Sequence, residues 1–434
     1  MFRVVLLSLL ILLFASLFSA CSMNSSKSIA PNQRAFEAED EYIIYALRAE
    51  ELQDYSAASL LFEKLFEHSG KKEYLYRSLE NDLAAKESQR LLQRTRDSLL
   101  KTPDDPTLLR LQIFALVELA ELKEAQSLAM KLAHTTQSAD DYLLVGEILI
   151  KQGEFDLALR YLDSAYAKEY NEKILDKISI ILYINLERQK DAIAYLETHT
   201  RVHGFSALIA TRLIGFYSDQ NNIEGLLSTY KRLYALQKSE DVAKKIIQIY
   251  TYKRDYIRLI DFLEESKSDD KLLLQLYISS KNYTKAYVVA QRVYDETADI
   301  EFLAQSAIYE YEASSKKSDK ELLNRVLRKL EDVVSMDDSP IYLNYLGYLL
   351  IDHDIDVPQG IRYIEKVLQT EPDSAYYLDS LAWGYYKLGN CLKAQKMIHK
   401  VMRLEGGDNA EVLEHAKRIE ECVKSKVKQK KVKK

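Results

Sequence analysis

The sequence between residues 339 and 402 contains the same pattern twice, and this internal repeat limits the folds that the whole chain can adopt. Each half begins with an apolar stretch that carries a small residue near its centre, Gly347 in the first half and Ala382 in the second. A polar turn and a second apolar stretch follow, and the pattern recurs after thirty-odd residues. Such a period predicts a helix–turn–helix unit that buries its apolar face only against neighbouring copies.

The same period extends upstream through most of the chain. Its clearest copy spans residues 140–167, where the segment KQGEFDLALRYLDSAY places Gly153 at a tight turn between two predicted helices. Looser copies bring the total to about eleven units, and the unit at residues 299–334 carries the insertion ASSKKSDK between its helices. Because the 434 residues include only 12 glycines and 6 prolines, helices are favoured over a sheet.

The pattern resembles that of tetratricopeptide-repeat proteins, and the resemblance implies an all-α fold. We therefore expect an α-solenoid, a right-handed superhelix of about eleven helix-turn-helix repeats over residues 38–408. A terminal repeat lacks one neighbour and needs a polar outer face, so residues 409–423 are predicted to form a C-terminal cap helix.

The N-terminus has the features of a lipoprotein signal peptide over residues 1–20. Arg3 precedes an apolar run, and Ser19 and Ala20 provide small residues directly before Cys21. This segment resembles the lipobox of bacterial lipoproteins, which implies cleavage before Cys21 and attachment of diacylglycerol to its thiol. A single membrane-spanning helix is the alternative, although the apolar run is shorter than the roughly 20 residues that a span needs.

Either alternative predicts an exported chain anchored in the cell envelope and facing the periplasm. The lipoprotein resemblance favours the outer membrane over the inner one, because no aspartate follows Cys21. The polar residues 21–37 are predicted to form a flexible tether.

The opposite end of the chain, residues 424–434, contains seven lysines and no acidic residue, which predicts a basic disordered tail. Without this tail and residues 1–20 the chain has 52 basic and 66 acidic residues, so its charge gives no support for nucleic-acid binding.

Two further cysteines, Cys391 and Cys422, lie at predicted helix ends that should be neighbours. A disulfide between them is possible in an oxidising periplasm, and two buried free thiols are the alternative.

Sequence motifs of catalysis are absent, so neither an enzymatic activity nor a cofactor is predicted. The chain has no glycine-rich phosphate loop, no nucleophile elbow and no spaced cysteine pair. His199 and His203 lack a third metal ligand nearby in sequence. The triplet Asp352, Asp354 and Asp356 lacks the glycine and glutamate of a calcium loop, so we expect a solvated turn and no metal.

Aromatic residues are concentrated in the last two repeats. Tyrosine buries a large area at low entropic cost and is enriched in binding surfaces, so some of these side chains are candidates for contact with a partner. The alternative is that they fill gaps between helices. The candidates are Tyr342, Tyr345, Tyr348, Tyr376, Tyr377 and Trp383.

The segments LNYLGYLLID and EPDSAYYLDSLAWGYYKLG resemble the C-terminal repeats of a family of bacterial lipoproteins. Some outer-membrane members of that family act as adaptors for carboxyl-terminal processing proteases. The resemblance implies a non-catalytic, lipid-anchored scaffold that recruits periplasmic or membrane proteins. An assembly factor or chaperone for an envelope machine, such as the flagellar motor, a pilus or a secretion apparatus, is the alternative.

Overall fold

Helices account for nearly all of the structure, a computed structural model that describes residues 34–432 and the side chains of residues 34–426. Twenty-three α-helices follow one another in this part of the chain, and no strand interrupts them. They form eleven consecutive helix pairs and a last, unpaired helix. The chain divides into two compact units, one up to Leu236 and one from Gln237, and each unit is described by itself.

The first unit contains six helix pairs, and a π-helical turn at Ile181–Asn185 extends the first helix of the fifth pair. The helices are α1 (Glu39–Glu51), α2 (Tyr55–Ser69), α3 (Lys72–Ala84), α4 (Ser88–Leu99), α5 (Pro106–Glu118), α6 (Leu122–Thr136), α7 (Ala139–Gln152), α8 (Phe155–Glu169), α9 (Glu172–Ile180), α10 (Gln189–His203), α11 (Ala207–Asp219) and α12 (Ile223–Gln237).

The second unit contains five helix pairs and the last helix, which packs against the two helices before it. The helices are α13 (Glu240–Lys253), α14 (Tyr256–Ser266), α15 (Asp270–Ser279), α16 (Tyr283–Thr297), α17 (Ile300–Ala313), α18 (Lys320–Met336), α19 (Pro340–Asp352), α20 (Val357–Val367), α21 (Ala375–Lys387), α22 (Cys391–Val401) and α23 (Ala410–Val432).

The helix pairs recur with a regular period. In the first seven pairs, the second helices begin 33 or 34 residues apart, which is the period of the tetratricopeptide repeat. The next intervals are 27, 37, 37 and 34 residues, because α14 and α15 are short and the ninth pair has a longer turn at the predicted insertion. The prediction of an all-α fold with about eleven helix-turn-helix repeats is confirmed, and the right-handed superhelical course stays a prediction.

Most of the turns within the pairs share one backbone geometry. Ten of the eleven turns contain a residue with positive φ, and only two of these residues are glycines. In nine of the ten, the backbone N–H that follows this residue donates to a carbonyl five residues earlier, as from Glu154 to Leu149 at 2.9 Å. This bond satisfies a carbonyl at the end of the first helix. The ten residues are Gln53, Lys86, Ala120, Gly153, Glu187, Asn221, Arg254, Lys281, Asp354 and Gly389.

Small residues mark the places where helices approach each other most closely. A Cβ atom on Gly360 would lie 2.5 Å from the carbonyl oxygen of Gly347, so α19 and α20 touch through their backbones. Ala125 and Ala158 are fully buried at the starts of second helices in the first unit. These contacts explain the small residues that mark each repeat in the sequence.

Both ends of the described chain differ from the sequence-based boundaries. The Phe36 ring packs against His68 at a centroid distance of 5.1 Å, so packed structure begins inside the tether predicted for residues 21–37. At the other end, α23 continues to Val432, although we predicted a cap helix ending at residue 423 and a disordered tail. That prediction was wrong for residues 424–432. Lysine and glutamine are good helix formers, and lysines are favoured near the C-terminus of a helix.

The predicted signal peptide and Cys21 lie outside the described residues. Within residues 34–432, no helix combines the length and the apolar character needed to cross a membrane.

Candidate functional site

A pocket of about 430 Å³ opens on the second unit, where α17, α19, α21 and the start of α23 meet. It is called the tyrosine pocket below, because four tyrosines and four carboxylates dominate its lining. The lining residues are Tyr311, Glu312, Lys317, Tyr345, Tyr348, Leu349, Asp352, Tyr376, Asp379, Ser380, Asn409, Glu411 and Val412.

Two tyrosines of α19 donate hydrogen bonds to carboxylates of the pocket. The Tyr345 hydroxyl donates to Glu312 at 2.9 Å, and the Tyr348 hydroxyl donates to Glu411 at 2.6 Å. Burial raises the pKa of both hydroxyls, and the carboxylates that they face raise it further. Both tyrosines therefore remain protonated and act as donors to these carboxylates.

The other two tyrosines form the aromatic walls. The ring of Tyr311 meets that of Tyr345 edge-to-face at 6.3 Å, and its hydroxyl lies 3.0 Å from Nε2 of His353. Burial raises the pKa of Tyr311 and lowers that of His353. Tyr376 is 58% exposed and therefore offers an accessible ring at the rim of the pocket.

Two buried side chains hold Asp352 and Asp379 in place from behind. The indole N–H of Trp383 donates to Oδ1 of Asp352 at 2.9 Å, and Nδ1 of His415 lies 3.0 Å from an oxygen of Asp379. The rings of Trp383 and His415 stack at 4.1 Å with an interplanar angle of 16°. The stacked pair thus fixes two carboxylates of the lining without facing the pocket itself.

The lining carries an excess of negative charge. Lys317 is its only basic residue, and it pairs with Glu312 at 2.6 Å. Among the side chains of residues 34–426, no lysine or arginine forms an ion pair with Asp352, Asp379 or Glu411. The nearby Lys387 bonds instead to the backbone carbonyl of Asp352 and to the carboxylate of Asp354.

The structure brings together only part of the predicted set of aromatic residues. Tyr345, Tyr348 and Tyr376 line the tyrosine pocket. Tyr342 packs in a separate apolar cluster with Leu303, Ala304 and Val333. Tyr377 and Trp383 are 5% and 3% exposed and belong to the core.

Sequence reasoning missed one tyrosine and all four carboxylates of the tyrosine pocket as partner-binding residues. Tyr311 and Glu312 precede the stretch that holds the predicted aromatic residues, and Glu411 follows it. Asp352 was considered only as a calcium ligand, and Asp379 was not singled out. The segment YEYEA, residues 309–313, places Tyr311 between two acidic residues, and this pattern is a signal that could have added Tyr311 and Glu312 to the candidates.

No family model and no curated protein matches this sequence. A crystal structure described as the APC/C hetero-tetramer Cut9–Hcn1 has a TM-score of 0.40 and 12% identity, over 89% of this chain and 97% of that chain. A thermophilic TPR protein of Thermus thermophilus has a TM-score of 0.33 and 20% identity, over 42% of this chain and 100% of that chain.

A tetratricopeptide repeat protein from Parabacteroides merdae has a TM-score of 0.28 and 15% identity, over 65% of this chain and 99% of that chain. All three TM-scores lie below 0.5. The tetratricopeptide-type arrangement therefore rests on the period and the pairing of this chain's own helices.

Cys391 and Cys422 form a disulfide that joins the start of α22 to α23. Their Cα atoms lie 5.8 Å apart, within the range that a disulfide requires. Of the two alternatives that the sequence left open, the structure contains the bonded pair. The bond fixes the last helix beside the final helix pair.

The histidine and aspartate groups considered as metal ligands have other contacts. Nδ1 of His199 lies 2.6 Å from the Tyr166 hydroxyl, and its ring lies 4.9 Å from that of His203. Asp354 pairs with Lys387, and Asp356 caps the start of α20. In the described part of the chain, no three His, Cys, Asp or Glu side chains are grouped so that they could hold a metal ion.

Proposed function

We propose that this chain is a non-catalytic scaffold that binds other proteins and is held at a membrane of the bacterial cell envelope by a lipid on Cys21. The tyrosine pocket is the observation that carries the proposal. First helices of three consecutive pairs and the last helix build it, so its aromatic and acidic groups are presented on a packed framework. Tyrosine-rich concave surfaces on rigid elements are typical of protein-binding sites.

The location in the envelope is supported by two independent features. One is the N-terminal sequence, in which a basic residue, an apolar run and small residues precede Cys21. The other is the disulfide between Cys391 and Cys422, which is typical of proteins in oxidising compartments. An anchored scaffold acts by raising the effective concentration of its partners beside the membrane.

The proposed function predicts that partner capture depends on the tyrosine pocket. In the test, the full chain is cross-linked to its partners in cells and purified from detergent-solubilised membranes. Mass spectrometry then identifies the partners. We expect Tyr376→Ala to lose most of the captured partner, because it removes the exposed aromatic wall. Tyr252→Ala is the matched control, since Tyr252 is 78% exposed in the same unit but lies outside the pocket.

The identity of the partner then separates the two roles considered above. A carboxyl-terminal processing protease indicates an adaptor, and a subunit of an envelope machine indicates an assembly factor or chaperone. Equal capture by the wild type and Tyr376→Ala would contradict the role of the pocket. Catalytic turnover by the purified chain alone would contradict the scaffold function.

The anchor is tested separately with Cys21→Ala. We expect this variant to lose the mobility shift of lipoprotein processing and to leave the membrane fraction after washing, because acyl chains provide the anchoring energy. A Cys21→Ala chain that stays in the membrane fraction with unchanged mobility would contradict lipid anchoring while leaving the scaffold function intact.

A further inference from the structure

We propose that the tyrosine pocket receives a lysine or arginine side chain of the partner protein. This inference rests on the proposed function, and it names the chemistry by which that partner is recognised. It follows from the hydrogen-bonding groups, the charges and the aromatic faces of the pocket.

The hydrogen-bonding groups that the pocket leaves free are mainly acceptors, which favours a ligand that donates hydrogen bonds. Its strongest donors are already used within the protein, since Tyr345 and Tyr348 donate to Glu312 and Glu411. Trp383 likewise uses its indole N–H on Asp352. The carboxylates keep further lone pairs, because an ionised carboxylate accepts up to about four hydrogen bonds. The surface left for a ligand is therefore rich in acceptors, and a complementary ligand supplies N–H groups.

The negative charges of the pocket lining favour a cationic ligand. Asp352, Asp379 and Glu411 converge on one cavity without a lysine or arginine partner among the described side chains. Asp379 is 7% exposed, and His415 is its hydrogen-bond partner among those side chains, so water reaches its carboxylate poorly. Carboxylates withdrawn from water are stabilised by an opposite charge, and a basic side chain of the partner would supply it.

The aromatic walls favour an organic cation over a bare ion. Lys317 already shows the arrangement within the chain, because its ammonium group lies 4.7 Å from the centroid of Tyr311 while it pairs with Glu312. Tyr376 offers further ring surface in the same lining as Asp379 and Glu411, which have no lysine or arginine partner among the described side chains. Ammonium and guanidinium groups gain from both features at once through cation–π attraction and charge-assisted hydrogen bonds.

The fluorescence of Trp383 provides a signal for ligand binding in the tyrosine pocket. Trp383 is the single tryptophan of the 434 residues, and its indole donates to Asp352 in the pocket lining. A cation that binds Asp352 changes the electric field at this indole and hence the emission of the protein. Binding is therefore measurable on the full chain in detergent without any label.

The test titrates the full chain with acetylated and amidated tripeptides, Ala-Arg-Ala and its neutral isostere Ala-citrulline-Ala, while Trp383 emission is recorded. We expect a saturable change with Ala-Arg-Ala and binding at least about tenfold weaker with Ala-citrulline-Ala. Asp352→Asn and Glu411→Gln should each weaken Ala-Arg-Ala about tenfold, because they remove charge but keep an oxygen acceptor for Trp383 and Tyr348.

Asp354→Asn is the matched control. Asp354 is a neighbouring acid that pairs with Lys387 and does not line the pocket, so its variant should bind Ala-Arg-Ala as the wild type does. Circular dichroism of each variant verifies that the helices are retained. Equal binding of the arginine and citrulline peptides, or equal weakening by all three acid variants, would overturn the proposal.

Two further outcomes would contradict the binding of a basic side chain and leave the proposed scaffold function intact. If tetramethylammonium binds as tightly as Ala-Arg-Ala, the pocket is a site for small organic cations and not for a peptide side chain. If partner capture is lost in Tyr376→Ala but unchanged in both Asp352→Asn and Glu411→Gln, the pocket binds its partner without a basic side chain. Competition between Ala-Arg-Ala and the captured partner is the result expected when both proposals hold.

Discussion

Asp141 is a buried carboxylate that secures the start of a helix in the first unit. It is 1% exposed and accepts two hydrogen bonds from Arg110, at 2.7 and 2.8 Å. The hydroxyls of Thr136 and Ser138 donate to it as well, while Ser138 in turn accepts from the Asp141 backbone N–H. Ser138 is thus the N-cap of α7, and its hydroxyl also donates to the carboxylate of the residue whose backbone N–H it caps.

The environment of Asp141 makes stability depend on pH. Burial by itself raises the pKa of its carboxyl, but the hydrogen bonds from Arg110, Thr136 and Ser138 outweigh burial and lower it. A lowered pKa in the folded state means that the stabilisation is present above the pKa of the unfolded chain, near 4. It is lost as the pH falls through the folded-state value.

Asp141→Asn should therefore destabilise the first unit by about 2 to 4 kcal/mol at pH 7, because it leaves Arg110 without its charge partner. The difference from the wild type should shrink as the pH falls below about 5. Urea unfolding at several pH values measures both effects. Asp140→Asn, at the exposed neighbouring residue, is the control and should change stability by less than about 0.5 kcal/mol. A pH-independent difference for Asp141→Asn would contradict the assignment.

At the scale of secondary-structure elements, the recurring feature is the turn between the two helices of each pair. The residue with positive φ recurs in ten turns, yet glycine occupies it only at Gly153 and Gly389. A non-glycine residue in this conformation costs about 1 kcal/mol, since Cβ approaches the neighbouring carbonyl. Most pairs therefore tolerate a strained turn because the packing of the two helices determines its geometry.

Exchanging glycine and alanine at two such turns should shift stability in opposite directions. Gly153→Ala should destabilise the first unit by about 1 to 2 kcal/mol, although an added Cβ would meet no atom within 4 Å. Ala120→Gly should stabilise it by about 0.5 kcal/mol, because Ala120 is exposed and has φ of 61°. Urea unfolding of both variants tests this, and shifts of the same sign would show that backbone strain is not the cause.

The sequence predicts the elements better than the site. Apolar periodicity and small residues such as Gly347 and Gly360 define the pairs, because every repeat solves the same packing problem. The pocket depends on which face each tyrosine occupies, and Tyr376 and Tyr377 show the difficulty. They are adjacent, yet one is exposed and the other is buried. Glu312 on α17 and Glu411 on α23 reach the same pocket although they are about a hundred residues apart in sequence, and no local pattern encodes that.

At the scale of the whole molecule, each repeat of the array is stabilised mainly by its contacts with the adjacent repeats. Helices in such arrays contact the elements next to them in sequence, so each end is stabilised from one side only. At the C-terminal end, α23 covers the last pair, and the Cys391–Cys422 disulfide closes a loop with a sequence separation of 31 residues. In the chain-entropy account, a loop of this length contributes about 3 to 4 kcal/mol.

Removing this bond should therefore loosen one end of the chain and leave the rest unchanged. In Cys422→Ser, we expect amide hydrogen exchange to accelerate in α21, α22 and α23 by at least about tenfold, because their local opening loses the constraint of the bond. Exchange in α1 to α6 should match the wild type. Reductant should reproduce this pattern in the wild type and have no further effect on the variant. Uniform acceleration along the chain would contradict the local model, since it would show that the array opens as one cooperative unit.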